Sequence, residues 1–365
     1  MSSGPTKPFS SHSLEALDQA SHPHNPHEVH PMRPRALLRV LGLVLLALCL
    51  GLTGLAAAVV LALSPMPACR HPEQGAPQPG DSVRTVQSGG LERCYLLHLP
   101  PGHDLSRPSP LVLSLHGFAG SPRNQEDMSR WNEVADAAGF VVVYPQGTSF
   151  PLRWNASAAQ SPGSVDDLQF IQDLVTEVEG LVAVDPARVY VNGMSNGGGM
   201  TARVVCEMAD SIAAAGIVAG AVLDSPGRCS PSRPVPVIVF HGTADPIVSY
   251  TGGTSEPTAL TRLLRMPSHR FEFPAVATWV RAWAEWNGCG SSSEATTPVG
   301  AVTGIRYTGC RENAEVVFYT IEGGGHSWPG GSPLPVWIVG VTNTDINASA
   351  TMWEFFQSHS LARAP

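Results

Sequence analysis

Lysine is almost missing from this 365-residue chain: Lys7 is the only one, and arginine supplies the rest of the 22 basic side chains. Charged residues make up just 14% of the sequence, with a formal net charge of −8. No basic patch occurs beyond the N-terminal arginines, which argues against nucleic acid as a partner. None of the 7 cysteines is spaced as C-x-x-C, so a zinc framework has little support. No internal repeat is visible, which argues against a solenoid or propeller. Apolar residues, at 43%, are plentiful enough for a sizeable core.

The N-terminal part divides by composition. Residues 1–35 are rich in Ser, Pro and His without apolar periodicity, the signature of a disordered leader. Its His12, His22, His24, His27 and His30 have no ordered element to hold them around a metal. Residues 36–64 contain an uncharged apolar run, 40–63, preceded by Arg33, Arg35 and Arg39. Such a run is long enough to cross a bilayer, for which about 20 apolar residues suffice, and the arginines should stay on the cytoplasmic side. A retained signal anchor is expected, with cleavage as a signal peptide or lipidation at Cys69 as alternatives. Residues 65–88, rich in Pro and Gly, read as a linker. All three readings export the domain expected at 89–365.

Cysteine usage points the same way. Cys49 lies inside the apolar run, and the six cysteines beyond it suit disulfides in an exported chain. Proximity favours Cys206–Cys229 and Cys289–Cys310, with Cys69–Cys94 as a third pair.

From about residue 90, short apolar strands alternate with helical stretches. Strands are expected at 94–99, 110–115, 140–144, 189–192, 214–219, 235–240 and 315–321. Helices are expected at 124–138, 167–181, 197–209, 274–287 and 348–359. The continuously apolar strands imply a sheet covered on both faces, and the alternation implies a mostly parallel, doubly wound α/β domain. Ligands bind such sheets beyond the carboxyl ends of the strands.

At one such end stands Gly193-Met194-Ser195-Asn196-Gly197, between a strand and a helix, the context of a nucleophile elbow in an α/β-hydrolase. A serine hydroxyl needs a base, and in this fold the order is Ser, acid, His. Of the downstream histidines, His326 follows a strand on the flexible Gly323-Gly324-Gly325. His241 precedes the acid and reads as a structural hydrogen-bonding group. His269 lies in an arginine-flanked loop and His359 in the last helix. Asp245, in the loop after the strand 235–240, is the expected acid, with Asp224 as a rival in a surface turn. Acyl transfer also needs donors for the tetrahedral oxyanion. The backbone N–H groups of Asn196 and of Phe118, in the glycine-rich loop His116-Gly117-Phe118-Ala119-Gly120, are the candidates.

These segments, with Tyr144-Pro145-Gln146-Gly147, Trp154-Asn155, Val165-Asp166-Asp167, Gly198-Gly199-Met200, His241-Gly242-Thr243-Ala244-Asp245 and Gly324-Gly325-His326-Ser327-Trp328-Pro329-Gly330, carry a resemblance. From about residue 90 to residue 359 the chain resembles the polyhydroxybutyrate depolymerase and feruloyl esterase family of extracellular esterases, related to carbohydrate esterase family 1. The resemblance implies an α/β-hydrolase fold, a triad of Ser195, Asp245 and His326, and no metal or organic cofactor. Phe118 departs from it, since many relatives carry a smaller residue or cysteine there.

Hydrolysis of a polyester, feruloyl or acetyl ester is therefore expected, with a serine peptidase or a catalytically silent binding protein as alternatives. His116, Trp328 and Trp337 are candidate substrate contacts, although both tryptophans equally suit packing under a long loop. The irregular stretch 250–273 is a candidate wall on the leaving-group side.

Overall fold

In the computed structural model, residue 51 and residues 72–157, 164–222, 229–254 and 272–362 are described. All of the apolar run 40–63 but Gly51, together with Cys69, Asp224, His269 and most of the 250–273 stretch, lies outside them. Among the described residues, no helix is long and apolar enough to cross a membrane.

The Gly89-Gly90 pair turns the chain between β1 (Gly80–Ser88) and β2 (Leu91–Leu99), which pair antiparallel from Gly80 opposite Leu99 to Ser88 opposite Leu91. Both glycines have positive φ, 56° and 78°, as a two-residue hairpin loop requires. Strand β1 thus occupies the end of the stretch 65–88 that composition alone marks as linker. Its partly exposed residues lack the apolar run of a central strand.

Strand β2 pairs antiparallel with β4 (Val141–Pro145), and β4 opens a parallel block. That block continues through β3 (Ser109–Leu115), β5 (Val184–Met194), β6 (Ala214–Val218), β7 (Val237–Gly242) and β12 (Val316–Ile321). Two antiparallel strands, β11 (Val302–Tyr307) and β10 (Ser293–Ala295), close the far edge. Strands β8 (Gly253–Thr254) and β9 (Glu272–Phe273) make a separate pair.

Alternation within each strand builds two cores. Leu111, Leu113 and Leu115 face one layer while Val112 faces the other; Val141 and Val143 oppose Val142 and Tyr144 in the same way. This is the period-two geometry of a pleated strand buried on both sides. The first layer is filled by Phe170, Ile171 and Leu174 of α3 (Asp167–Leu181), Met200 and Val204 of α4 (Asn196–Glu207), and Trp279 and Trp283 of α5 (Val276–Trp286). The second receives Met128 from α1 (Pro122–Ser129), Trp131 and Ala135 from α2 (Trp131–Ala138), and Met352 and Phe356 from α7 (Ala348–Phe356).

One expected helix is two. The stretch 124–138 breaks at Arg130, whose φ of 55° and ψ of 33° end α1 and begin α2. Arginine is an ordinary helix former, so no local signal marks the break. It turns Trp131 into the core, where the indole N–H donates to Asn192 Oδ1 at 3.1 Å.

Candidate active site

Strand β5 ends at Met194, and the chain enters α4 through Ser195, held at φ 55° and ψ −120°. A non-glycine residue with positive φ outside a helix is strained, and such strain collects at functional sites. Two backbone bonds help hold it: the Ser195 N–H donates to Val218 O at 3.0 Å, and its carbonyl accepts from Ala221 N–H at 2.9 Å. The flanking glycines are required by contact. A Cβ on Gly193 would run into the Gly197 carbonyl, and one on Gly197 into the carbonyls of Leu115 and His116. The serine is left half-buried at the carboxyl end of the parallel block.

The strands put the other groups at the same end. Met194 stands opposite Val218, Val218 opposite Phe240, and Gly242 opposite Ile321. Asp245 leaves β7 three residues after Gly242, and His326 follows β12 through a glycine turn. The His326 Nδ1–H donates to Asp245 Oδ2 at 2.8 Å, and both side chains are buried. Asp245 Oδ1 accepts the backbone N–H groups of Ile247 and Val248, each at 2.8 Å. His241 Nε2 reaches Val248 O at 2.9 Å and lies 3.4 Å from Asp245 Oδ2. Burial pushes the Asp245 carboxyl up, but the charge of His326 and the bonds from His241 and His326 outweigh it. The acid is held well below the usual carboxylate range.

The segment beyond His326 braces it: the His326 N–H donates to Val339 O at 2.6 Å and the Gly325 N–H to Val341 O at 2.8 Å. A Cβ on Gly325 would collide with Val339 O and Gly340. Among the described residues, no hydrogen bond is closed between Ser195 Oγ and His326 Nε2. Such bonds are often long in unliganded hydrolases.

The loop after β3 passes directly over the serine. A Cβ on Gly117 would lie 3.3 Å from Ser195 Cβ and 3.9 Å from its Oγ. The Phe118 N–H takes no acceptor among the described residues, and the residue is 46% exposed. Asn196 opens α4, where the first N–H groups of a helix lack intrahelical partners. Both expected donors thus border Ser195.

The aromatic candidates separate. His116 is fully buried, bonded through both ring nitrogens to backbone, and cannot contact substrate. Trp328 is likewise core: its indole N–H donates to Ser349 Oγ at 3.1 Å, beneath α7. Trp337, on the short helix α6 (Val336–Val339), is instead 86% exposed. Period and spacing do not encode burial for an isolated residue in a loop. A further contribution went unread in the sequence: the Asn196 side chain bonds both backbone polar groups of Trp154. The juxtaposition of Trp154-Asn155 with the elbow is a long-range one that no local pattern carries.

Comparison with known proteins places the chain among esterases. A sequence model of the family Esterase PHB depolymerase matches residues 93–248, a span that includes Ser195 and Asp245. The chain is 32% identical over 287 residues to "Putative esterase NocK" of Nocardia uniformis subsp. tsuyamanensis, covering 75% of this chain and 82% of that protein. It is 31% identical over 241 residues to feruloyl esterase B of Piromyces equi, covering 64% of this chain but only 42% of that longer protein. In fold it is similar to the acetyl xylan esterase from Aspergillus awamori, with a TM-score of 0.52 at 16% identity, over 76% of this chain and 99% of that one. The chain belongs to the PHB depolymerase and feruloyl esterase family, and it is a serine hydrolase acting on carboxylic ester bonds.

Proposed function

We propose that Ser195, His326 and Asp245 act as the triad of this esterase, through an acyl-enzyme. The observation that carries the reading is the buried His326–Asp245 pair, 2.8 Å apart, at the same sheet end as a strained serine. His326 Nε2 takes the Ser195 proton as Oγ attacks the ester carbonyl, and Asp245 orients the ring and stabilises its cation. The tetrahedral oxyanion is met by the N–H groups of Phe118 and Asn196. His326 then gives its proton to the departing alkoxide, leaving an acyl group on Ser195. Water, activated by the same histidine, releases the acid and restores the serine.

The acyl side is apolar. Phe118, Phe150, Leu334, Val336, Trp337 and Ile338 are exposed on three loops, tied to each other or to the site by Ala119 N–H to Leu152 O at 2.8 Å and by His326 N–H to Val339 O. An aromatic or aliphatic acyl group suits this rim, in line with relatives named as feruloyl and acetylxylan esterases. The domain works outside the cytoplasm, a location supported by disulfides Cys206–Cys229 and Cys289–Cys310. The N-terminal apolar run holds it at the membrane or directs its export.

Purified Ser195→Ala should lose p-nitrophenyl butyrate turnover by at least about 10⁴-fold while keeping the wild-type circular dichroism. Retention of more than about 1% of kcat would move the nucleophile elsewhere. Trp337→Ser should raise KM for a feruloyl ester more than for an acetyl ester; equal effects would remove Trp337 from the acyl site.

A further inference from the structure

We propose that His116 and Trp154 are positioning residues that aim the two backbone donors of the oxyanion hole. The inference rests on the oxyanion reading above and assigns its control to side chains that never touch substrate.

The first donor is set through a carbonyl. The Gly117 oxygen accepts from His116 Nδ1–H at 2.8 Å and from the Gly120 N–H at 3.0 Å. That oxygen and the Phe118 N–H belong to one planar trans peptide and point in opposite directions. Two bonds that hold the carbonyl therefore fix the N–H on the opposite side of the unit. The position of Gly117 against Ser195 Cβ puts that unit beside the nucleophile.

For His116 to donate from Nδ1, its proton must sit there. The Gly147 N–H donates into Nε2 at 2.9 Å, so Nε2 is the acceptor and the tautomer follows from the network. Burial pulls the His116 pKa down to about 4, which keeps the ring neutral over the range where esterases work. The Gly147 turn is itself braced: Thr148 and Arg153 exchange backbone bonds at 3.0 and 2.9 Å.

Trp154 ties this half to the second donor. Its indole N–H donates to His116 O at 2.9 Å. Its backbone N–H donates to Asn196 Oδ1 at 2.7 Å, and Asn196 Nδ2 donates back to Trp154 O at 3.1 Å. That cyclic pair fixes the residue whose own N–H is the other donor. The assembly rests on buried ionic ground. The Asn155 N–H donates to Asp167 Oδ2 at 2.8 Å, and Arg93 holds Asp167 Oδ1 at 2.8 Å. Pre-set donors stabilise a charge that exists only in the transition state, with no reorganisation during the reaction. Their loss should therefore appear in kcat and leave KM nearly alone.

The test uses the full chain, with active sites counted by fluorophosphonate labelling of Ser195. Per labelled site, His116→Leu should lower kcat for p-nitrophenyl butyrate about tenfold to hundredfold, with little change in KM. Affinity for an alkyl boronic acid, which puts an oxyanion into the hole, should fall by the same factor. His116→Asn, whose amide can donate to Gly117 O, should recover most of both losses. Trp154→Phe keeps the aromatic packing and removes only the indole donor, so it should show a smaller loss with the same split. If His116→Leu does not fold, Trp154→Phe and Asn196→Ala decide by the same two readouts. Unchanged kcat per labelled site, or lowered kcat with unchanged boronate affinity, would overturn the proposal. Failure of the nucleophile reading would appear separately, as label absent from Ser195 or activity retained by Ser195→Ala.

Discussion

At Asp245 the two carboxylate oxygens have different partners, and this makes the residue a sensitive probe. Oδ1 accepts two backbone N–H groups, while Oδ2 faces His326 Nδ1. In Asp245→Asn the amide NH2 cannot sit against two donors, so it must take the Oδ2 position. There it would donate to His326 Nδ1 and drive the ring proton onto Nε2, the atom that in the proposed mechanism accepts from Ser195. Esterase kcat should fall about 10³–10⁴-fold with the thermal midpoint little changed, since the two backbone bonds survive. Stopped-flow and steady-state rates on p-nitrophenyl butyrate would check it; a loss of under about tenfold would leave the tautomer argument without force. His241 is the second imidazole on the same oxygen, 3.4 Å away. The sequence reads it as a structural hydrogen-bonding group, and its buried Nε2 is bonded to the Val248 carbonyl at 2.9 Å.

The elements that carry the site are stapled to their neighbours. Cys206, near the end of α4, joins Cys229 beyond β6, and Cys289, just after α5, joins Cys310 ahead of β12. Cys94 is disulfide-bonded too, and its expected partner Cys69 lies outside the described residues. The two described bridges span 23 and 21 residues, and closing loops of this size restricts the unfolded chain by about 3 kcal/mol each. Reduction should lower the thermal midpoint by several degrees. The Cys289→Ser/Cys310→Ser pair should also expose the β12–His326 region to proteolysis before the core of the sheet. Calorimetry with and without reductant, followed by limited proteolysis, measures both effects. An unchanged midpoint on full reduction would mean that the bridges constrain nothing the sheet does not already hold.

Across the whole molecule, the edge hairpin β1–β2 is fastened to the helical layer by a titrating cluster far from the site in the sheet order. His98 Nδ1 bonds Asp81 Oδ1 at 2.7 Å, and Nε2 bonds Asp136 Oδ1 at 3.0 Å, so both ring nitrogens face carboxylates. Arg123 spans Asp81 and Glu126, and Asn132 bonds both of these carboxylates. Burial lowers the His98 pKa, but bonds and charge from Asp81 and Asp136 outweigh it and raise it. Burial, then Asp81, pushes Glu126 up to about 7. A raised pKa contributes stability that is complete below the unfolded value and is lost as pH rises through the folded one. Both groups therefore act in one direction: the thermal midpoint should fall as pH rises, from about 4.5 to about 7 through Glu126 and from about 6.5 upward through His98. Asp81, held low by His98 against the effect of burial, acts oppositely, and its contribution is lost only in acid. Glu126→Gln should flatten the fall between about pH 4.5 and about pH 7; an equally steep fall in that variant would move the linkage to other groups.

Much of this protein was legible locally. Continuous apolar runs located the seven strands from β2 to β12 that form the centre of the sheet, because burial on both faces leaves no room for polar residues. The elbow was legible as well, since only glycine tolerates the contacts at positions 193 and 197. The order of serine, acid and histidine along the chain could be read because each follows a strand end. What local pattern could not supply was anything set by contacts between distant segments. The edge strands β1 and β10, and β11 beside β10, depend on their partners rather than on an apolar run. The helix break at Arg130 is set by where Trp131 must pack. Only tertiary structure decided that His116 and Trp328 are buried and Trp337 exposed, because what covers each ring comes from segments distant in the chain. It also decided that Trp154 reaches Asn196, 42 residues away: a hydrogen bond needs two partners at once, and a sequence shows each of them alone.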